Sequence, residues 1–411
     1  MNIYLVVILA IIIGNYILDL IIESFNLRAI KDKLPGEFEG FYDSAKYKKS
    51  QAYLKDNAYF KLIQGAAITV VVLFLILSGG FNFIDKIARG FSLGIIPTGL
   101  IFSGILFFFF QIIGIPFSIY HTFVIEEKYG FNRTKPKTFI LDILKSWLLS
   151  IIIGGMLLSL ILWFFIKSGN LAWVFCWLGV TIFELFIIFI APLVIMPLFN
   201  KFTPLEEGEL KQSIQTYAQS QNFKLKGLFK MDGSRRSSKS NAFFTGFGKY
   251  RRIVLFDTLI KNHSVDELVS VLAHEMGHYK KKHILKMMTI SVLTNGLMFF
   301  ILSLFINNPG MFAAFRIEHF SIYASLLLFS FLYTPINVIL SLAGNALSRK
   351  HEYEADNYAT TTYRRPKAFI SALKKLTVDN LANLTPHPLK VFIAYSHPPV
   401  LARIKALEKS L

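Results

Sequence analysis

Leu148-Leu-Ser-Ile-Ile-Ile-Gly-Gly-Met-Leu-Leu-Ser-Leu-Ile-Leu-Trp-Phe-Phe-Ile166 runs for 19 residues without a charged side chain. A helix needs about 20 mostly apolar residues to cross the hydrocarbon core of a bilayer, whereas the buried helices of soluble proteins show shorter apolar runs. The stretch therefore reads as part of a membrane span covering 144–166. On the same template, runs at 3–22, 62–83, 99–123, 171–198, 284–306 and 320–347 bring the count to seven candidate spans. Composition agrees: 54% of the 411 residues are hydrophobic and 41 are phenylalanine, too apolar for an enzyme with an ordinary polar surface. Residues 3–22 lack the basic start and small-residue cleavage site of a secretory signal, so they read as a retained first span.

The formal net charge is +18. It sits between the apolar runs rather than on a soluble basic face, which argues against nucleic acid as partner and for membrane lipids. The connection after the first span carries Arg28, Lys31, Lys33, Lys46, Lys48, Lys49, Lys55 and Lys61, and the one after the third carries Lys128, Arg133, Lys135 and Lys137. Those after the second, fourth and sixth carry only Lys86 with Arg89, Lys167, and Arg316. Basic loops stay cytoplasmic. Seven spans place every Lys/Arg-rich segment, including 199–283 and the tail from Arg349, on one side; six or eight would separate the last two. The expected topology has the N-terminus outside or lumenal and the C-terminus cytoplasmic, in a bacterial inner membrane or the endoplasmic reticulum according to source.

The expected fold is mainly α: seven transmembrane helices with a small α+β domain on the cytoplasmic side. The division is 1–198 for spans one to five, 199–283 for the first part of that domain, 284–347 for spans six and seven, and 348–411 for its second part. Within it, Glu206–Gln221 predicts a polar helix and Arg252–Phe256 a strand, and Gly246 and Gly248 suggest a turn between two strands. Ser264 with Glu267 three residues on forms a capping box opening a helix over Val265–Lys282.

That helix carries Val271-Leu-Ala-His-Glu-Met-Gly-His-Tyr279. Four residues turn a helix by about 400°, so His274 and His278 leave one face a turn apart and can share a tetrahedral zinc ion. Glu275, rotated by about 100°, flanks the open position and suits a base acting on water there. The single cysteine, Cys176, lies in an apolar run, so the metal must use His and carboxylate. His283, nine residues from His274 and about half a turn round the same helix, reads as a surface or interfacial histidine.

A catalytic zinc site wants a third protein ligand. The best candidate stands in Arg349-Lys-His-Glu-Tyr-Glu-Ala-Asp-Asn357, just past the last span. Glu352 and Asp356 share a helix face; the first carboxylate is placed to ligate and the second to hold a ligand histidine's ring N–H. Glu354, about 200° from Glu352, reads as a solvated residue.

With these residues in place, the sequence resembles the type I CAAX prenyl protease family of membrane zinc metalloproteases. The resemblance covers Pro35–Phe38, Tyr47–Tyr53, Glu126–Asn132, Ser240–Ala242, Arg252–Leu259, the His-Glu-x-x-His helix, Glu352–Asp356 and Ser396–Leu407, nearly the whole chain in order. It implies a seven-span barrel enclosing a large intramembrane chamber, closed on the cytoplasmic side by the metalloprotease domain. It implies one zinc ion on His274, His278 and Glu352, with Asp356 supporting the first histidine. Asn241-Ala242-Phe243 looks like the edge strand that binds a peptide substrate through its backbone; Phe243 stands where the family suggests Tyr. His397 resembles a histidine that stabilises the oxyanion, and Arg403 an arginine that anchors either the tail or the substrate end.

The function this implies is hydrolysis near the C-terminus of peptides or prenylated proteins, or of other membrane-associated peptides. Two alternatives stay open. A quality-control metalloprotease of the heat-shock type shares the motif logic with a shorter chain and fewer spans. A non-enzymatic transporter or scaffold would make the His and Glu residues structural, although no pair of broken helices marks transporter halves. Of the charges near or within spans, Asp19, Glu184 and Lys286, Glu184 either lines the chamber or pairs with a polar neighbour across the bundle.

Overall fold

The computed structural model describes residues 2–245 and 252–409. Among them, seven helices are long and apolar enough to cross a membrane: α1 (Ile3–Arg28), α2 (Ser44–Ser78), α3 (Ile95–Glu126), α4 (Pro136–Lys167), α5 (Gly169–Phe199), α8 (His283–Phe305) and α9 (Ile322–Tyr363). The numbering leaves α6 and α7 for two helices of the polar domain, α6 (Glu209–Ser220) and α7 (Val265–Lys280). No more than 17% of any span's apolar window is buried within the chain. The rest of that surface is favourable only against lipid tails.

The packing of the spans is uneven along their length. Ile8, Ile76, Phe102, Leu162, Cys176, Phe299 and Leu328 come from seven different helices and join one buried cluster. All lie toward the same end of the bundle, the end at which α1 begins. Toward the other end, α4 before Leu162 and α5 after Cys176 bury no residue at all. A bundle closed at one end and unpacked through its middle is the arrangement that encloses a chamber.

The second cluster closes the opposite end. Phe38, Tyr47 and Tyr53, from the segment between α1 and the apolar half of α2, pack with Leu268, Leu272 and Met276 of α7 and with Ile253 and Leu255 of the sheet. The sheet has four strands, β1 (Phe202–Pro204), β2 (Gly227–Met231), β3 (Ala242–Thr245) and β4 (Arg252–Phe256), in the order β1-β2-β4-β3. β2 and β4 are parallel; the outer pairs are antiparallel, with Phe243 opposite Val254. β4 buries Ile253, Val254 and Leu255 in succession, as an interior strand covered on both faces does. β3 is an edge. The turn expected at Gly246 and Gly248 lies outside the described residues.

One feature differs from the reading of the sequence. The boundary expected at 347/348 falls inside α9, whose 42 residues run unbroken from the span into the polar domain. Glu184 of α5 accepts hydrogen bonds from Ser291 Oγ and Asn295 Nδ2 of α8, both 3.1 Å, as the reading of a polar pairing across the bundle has it, and it also borders a cavity shared with His278 and His283.

Candidate metal centre

α7 forms where the capping box places it. Ser264 Oγ accepts from the Glu267 amide at 3.3 Å, and the Glu267 carboxylate accepts from the Ser264 amide at 2.8 Å. Asp266 and Glu267 lie in the first turn, where negative charge is stabilised by the helix dipole. Leu268, Leu272, Ala273 and Met276 bury one face in the core, leaving His274, Glu275 and His278 turned toward α9 and the chamber.

α7 can approach α9 closely because residue 277 is glycine. A Cβ there would stand 3.0 Å from Ala355 Cα and 3.1 Å from its carbonyl oxygen. That contact sets Glu352 and Asp356, which flank Ala355, against the two histidines. His274 Nε2 and His278 Nε2 are 3.2 Å apart, and the nearest Glu352 oxygens lie 3.5 Å from the first and 3.2 Å from the second. Ligand atoms on tetrahedral arms of about 2.0–2.1 Å would be about 3.4 Å apart.

The hydrogen bonds around this triangle fit a cation. His274 Nδ1 lies 2.8 Å from Asp356 Oδ1; a carboxylate only accepts, so Nδ1 carries the proton and Nε2 presents a lone pair. Glu352 is buried, and its Oε2 makes no hydrogen bond among the described residues, with Arg403 Nη1 at 3.2 Å and His274 Nε2 at 3.5 Å in ion-pair range. Two imidazole lone pairs and a buried carboxylate converging on one point are a donor set for a divalent metal.

Glu275 stands beside the triangle, less buried than its neighbours. Burial pushes its carboxyl above the ordinary glutamate value, while His274 and His278 pull the other way. His397 is the exposed member of the group: its Nε2 lies 3.4 Å from Glu352 Oε1 and its Nδ1 3.0 Å from Ser396 Oγ. The Asn241 carbonyl accepts from the Phe256 amide at 3.1 Å and leads into β3, where Ala242 and Phe243 are half-buried. The Phe243 ring meets Phe256 edge-on at 6.2 Å.

Three residues need correction. Arg403, on the helix α10 (Val400–Glu408), is buried beneath the ligands and does not face the chamber. Its Nε and Nη2 donate to the two Asp356 oxygens at 2.8 and 2.5 Å. Of its two expected roles, anchoring the tail agrees with this position and substrate contact does not, because a buried guanidinium spends its donors on the carboxylates that neutralise it. His283 is not on the surface. α7 ends at Lys280, Lys282 takes a left-handed turn (φ 59°), and His283 begins α8 directly against His278, only 2% exposed. Glu354 is not a free surface carboxylate either: it accepts from His283 Nε2 at 2.9 Å. The available signal was the passage from Lys280-Lys-Lys282 to the apolar run at Ile284, which marks a helix end.

Two family models together match almost all of the chain: one described as CAAX prenyl protease N-terminal, five membrane helices, over residues 24–201, and one described as peptidase family M48, over 204–411. A probable CAAX prenyl protease 1 of Schizosaccharomyces pombe is 36% identical over 96% of this chain and 86% of its own length. A CAAX prenyl protease 1 homolog of Oryza sativa subsp. japonica is 36% identical over 98% and 97%. The crystal structure of Saccharomyces mikatae Ste24p superposes with a TM-score of 0.94 at 33% identity, covering 98% of this chain and 99% of that one. These matches run through both halves of the fold and leave neither a shorter quality-control protease nor a non-enzymatic scaffold as the reading. The chain belongs to the CAAX prenyl protease family and is a multi-pass membrane metalloendopeptidase with an M48 peptidase domain.

Proposed function

We propose that this metalloendopeptidase uses one zinc ion, held by His274, His278 and Glu352, to hydrolyse a peptide bond near the C-terminus of a prenylated CAAX-type or other membrane-associated peptide. The observation that carries the reading is the convergence of His274 Nε2 and His278 Nε2, 3.2 Å apart, on the Glu352 carboxylate, whose Oε1 lies 3.2 Å from His278 and whose Oε2 lies 3.5 Å from His274, beside Glu275. Zinc, when bound, supplies Lewis acidity that polarises the scissile carbonyl and makes water a nucleophile near neutral pH.

The residues of the chain divide the remaining work. Glu275 takes a proton from the attacking water and returns it to the leaving amine. His397 Nε2, on the exposed side of Glu352, is placed to donate to the oxyanion. Asp356 keeps His274 in the tautomer that leaves Nε2 free to ligate, and Arg403 holds Asp356 in place. Asn241, Ala242 and Phe243 lead along the edge strand β3, whose outer backbone groups can pair with an extended peptide. That pairing needs no phenol, so Phe243 in place of Tyr leaves it intact. In this reading 199–283 and 348–411 supply the chemistry, and 1–198 and 284–347 supply the spans around it.

The side bearing the basic connections is cytoplasmic in this reading, with the N-terminus outside or lumenal; the membrane is a bacterial inner membrane or the endoplasmic reticulum, according to source. Cleavage of a farnesylated CAAX peptide by purified protein in detergent, beside Glu275→Gln at equal zinc content, tests the central claim. Turnover by the unmodified protein and a loss of about 10²-fold or more in the variant are expected. Equal turnover by the two would refute the role of Glu275, and absence of bound zinc would refute the site.

A further inference from the structure

The polar residues behind the metal triangle form a chain of their own. His283 Nδ1 lies 3.1 Å from His278 Nδ1, and His283 Nε2 lies 2.9 Å from Glu354 Oε2. Its ring stacks on that of His351 at 3.9 Å and 9°, and both imidazoles are buried, 2% and 3% exposed. Two buried rings in face-to-face contact cannot both carry charge, and His283 is the one enclosed between a second imidazole and a third.

The tautomers follow in order. A carboxylate only accepts, so His283 Nε2 carries the proton that Glu354 receives. A neutral His283 then has a lone pair on Nδ1, and the short Nδ1–Nδ1 contact requires His278 to donate. His278 Nδ1 is therefore protonated, and its Nε2 presents a lone pair toward His274 and Glu352. Asp356 does the same for His274 with a carboxylate; for His278 the orienting group is another histidine, itself oriented by Glu354.

The backbone supports this assignment. Lys282 adopts φ 59°, a region that costs a non-glycine residue roughly 1 kcal/mol and is kept only where the surroundings impose it. Without that turn, residue 283 would continue α7 on its far side.

We propose that His283 is a positioning residue of the metal centre: it fixes the tautomer and plane of the His278 imidazole, with Glu354 setting its own tautomer and His351 its plane. The inference rests on the reading that His278 ligates zinc, and its test separates the two. His283→Phe keeps the ring and the stack but removes the acceptor; His283→Asn places an amide oxygen near the position of Nδ1 and restores it. Zinc affinity is measured in detergent by competition with a chromophoric chelator, and coordination by the visible spectrum of the cobalt-loaded protein. Losing a histidine's hydrogen-bond partner costs about 10–100-fold in metal affinity, so His283→Phe falls by that much with an altered cobalt spectrum, whereas His283→Asn stays within about threefold with the spectrum unchanged. His283→Phe binding zinc as tightly as the unmodified protein, or His283→Asn falling as far as His283→Phe, would overturn the proposal. Should His283→Phe not fold, Glu354→Leu removes the acceptor at the more exposed end of the chain and is expected to weaken zinc in the same range, with unchanged affinity refuting the idea. An unmodified protein that binds no zinc would instead overturn the metal site on which the inference stands.

Discussion

Gly277→Ala adds one methyl group, and the structure fixes where it goes. The new Cβ would stand 3.0 Å from Ala355 Cα, 3.1 Å from Ala355 O and 3.1 Å from Tyr358 Cβ. Optimal carbon contacts are about 3.5–4.0 Å, so relief needs about 0.5 Å of separation. Two of the three neighbours are α9 backbone or its carbonyl and cannot rotate aside, so the helices themselves must part. Ala355 stands between Glu352 and Asp356, so the parting carries the third ligand away from the two histidines, while a metal site tolerates only about ±0.2 Å. Overpacking of this kind costs about 1–3 kcal/mol, and the better helix propensity of alanine offsets roughly 0.5–1 kcal/mol. The metal-free variant should therefore melt close to, or about 2 kcal/mol below, the unmodified protein, whereas its zinc affinity should fall about tenfold or more, equivalent to about 1.4 kcal/mol. Gly344→Ala is the control: it lies on α9, and its Cβ would meet nothing within 4 Å. Chelator competition with peptide turnover, set against thermal melts, reads both effects. Zinc affinity in Gly277→Ala equal to that of Gly344→Ala would refute the argument that this glycine sets the ligand spacing.

Three further outcomes follow from the same geometry. Burial alone would raise the Glu267 carboxyl, but Lys375, Ser371 and the Ser264 amide hold it below its ordinary 4.5, so its stabilisation is full above that value and fades as pH falls through the lower folded one. Glu267→Gln should thus lose about 1.5–3 kcal/mol near neutral pH, with melts of the two proteins converging on acidification; a constant gap would refute the assignment. Arg403→Leu leaves Asp356 buried without its cation and should cost about 3–5 kcal/mol in melting experiments, with Arg403→Lys recovering only part because it cannot donate to both carboxylate oxygens along the same fork. Removing the metal with a chelator should lower the melting point of the unmodified protein by the equivalent of about 2.7 kcal/mol if zinc had been present at 100 times its dissociation constant, and should leave Glu352→Gln little changed.

The membrane class was legible because length and apolarity are local quantities, and the loop charges fixed the parity of the spans. Helix ends were less legible. α2 begins at Ser44, eighteen residues before its apolar run, through a stretch with five lysines. An apolar run reports where a helix meets lipid; the backbone continues into water wherever the next turn still packs, as Tyr47 and Tyr53 do. At the metal centre, the spacing of His274, His278, Glu352 and Asp356 was readable because each pair lies on one helix, where four residues make a turn. His283 was misplaced for the same reason: the helical reading ran on past Lys280, and a left-handed lysine carries no glycine or asparagine to announce it. Arg403 depended on how a tail helix docks from a distance in sequence that no period measures.

That difference between local and distant placement explains how the site is held. Asp356 and Glu352 ride on α9, which at 1.5 Å per residue is about 63 Å long and reaches from Tyr323, hydrogen-bonded to Asp85 at 2.5 Å at the far end of the bundle, into the polar domain. His274 and His278 ride on α7, which belongs to the polar core and meets α9 through the bare backbone at Gly277. The third ligand therefore stands where α9 has left the membrane bundle and entered the polar domain, whose core also takes in Ala359 of the same helix, and the first two stand on α7 within that domain. The three ligand atoms come together where α7 packs on α9, and Arg403, from the tail helix, bonds Asp356 beneath that junction. A metal bound across the junction would stabilise the packing of α7 on α9 by its own binding free energy.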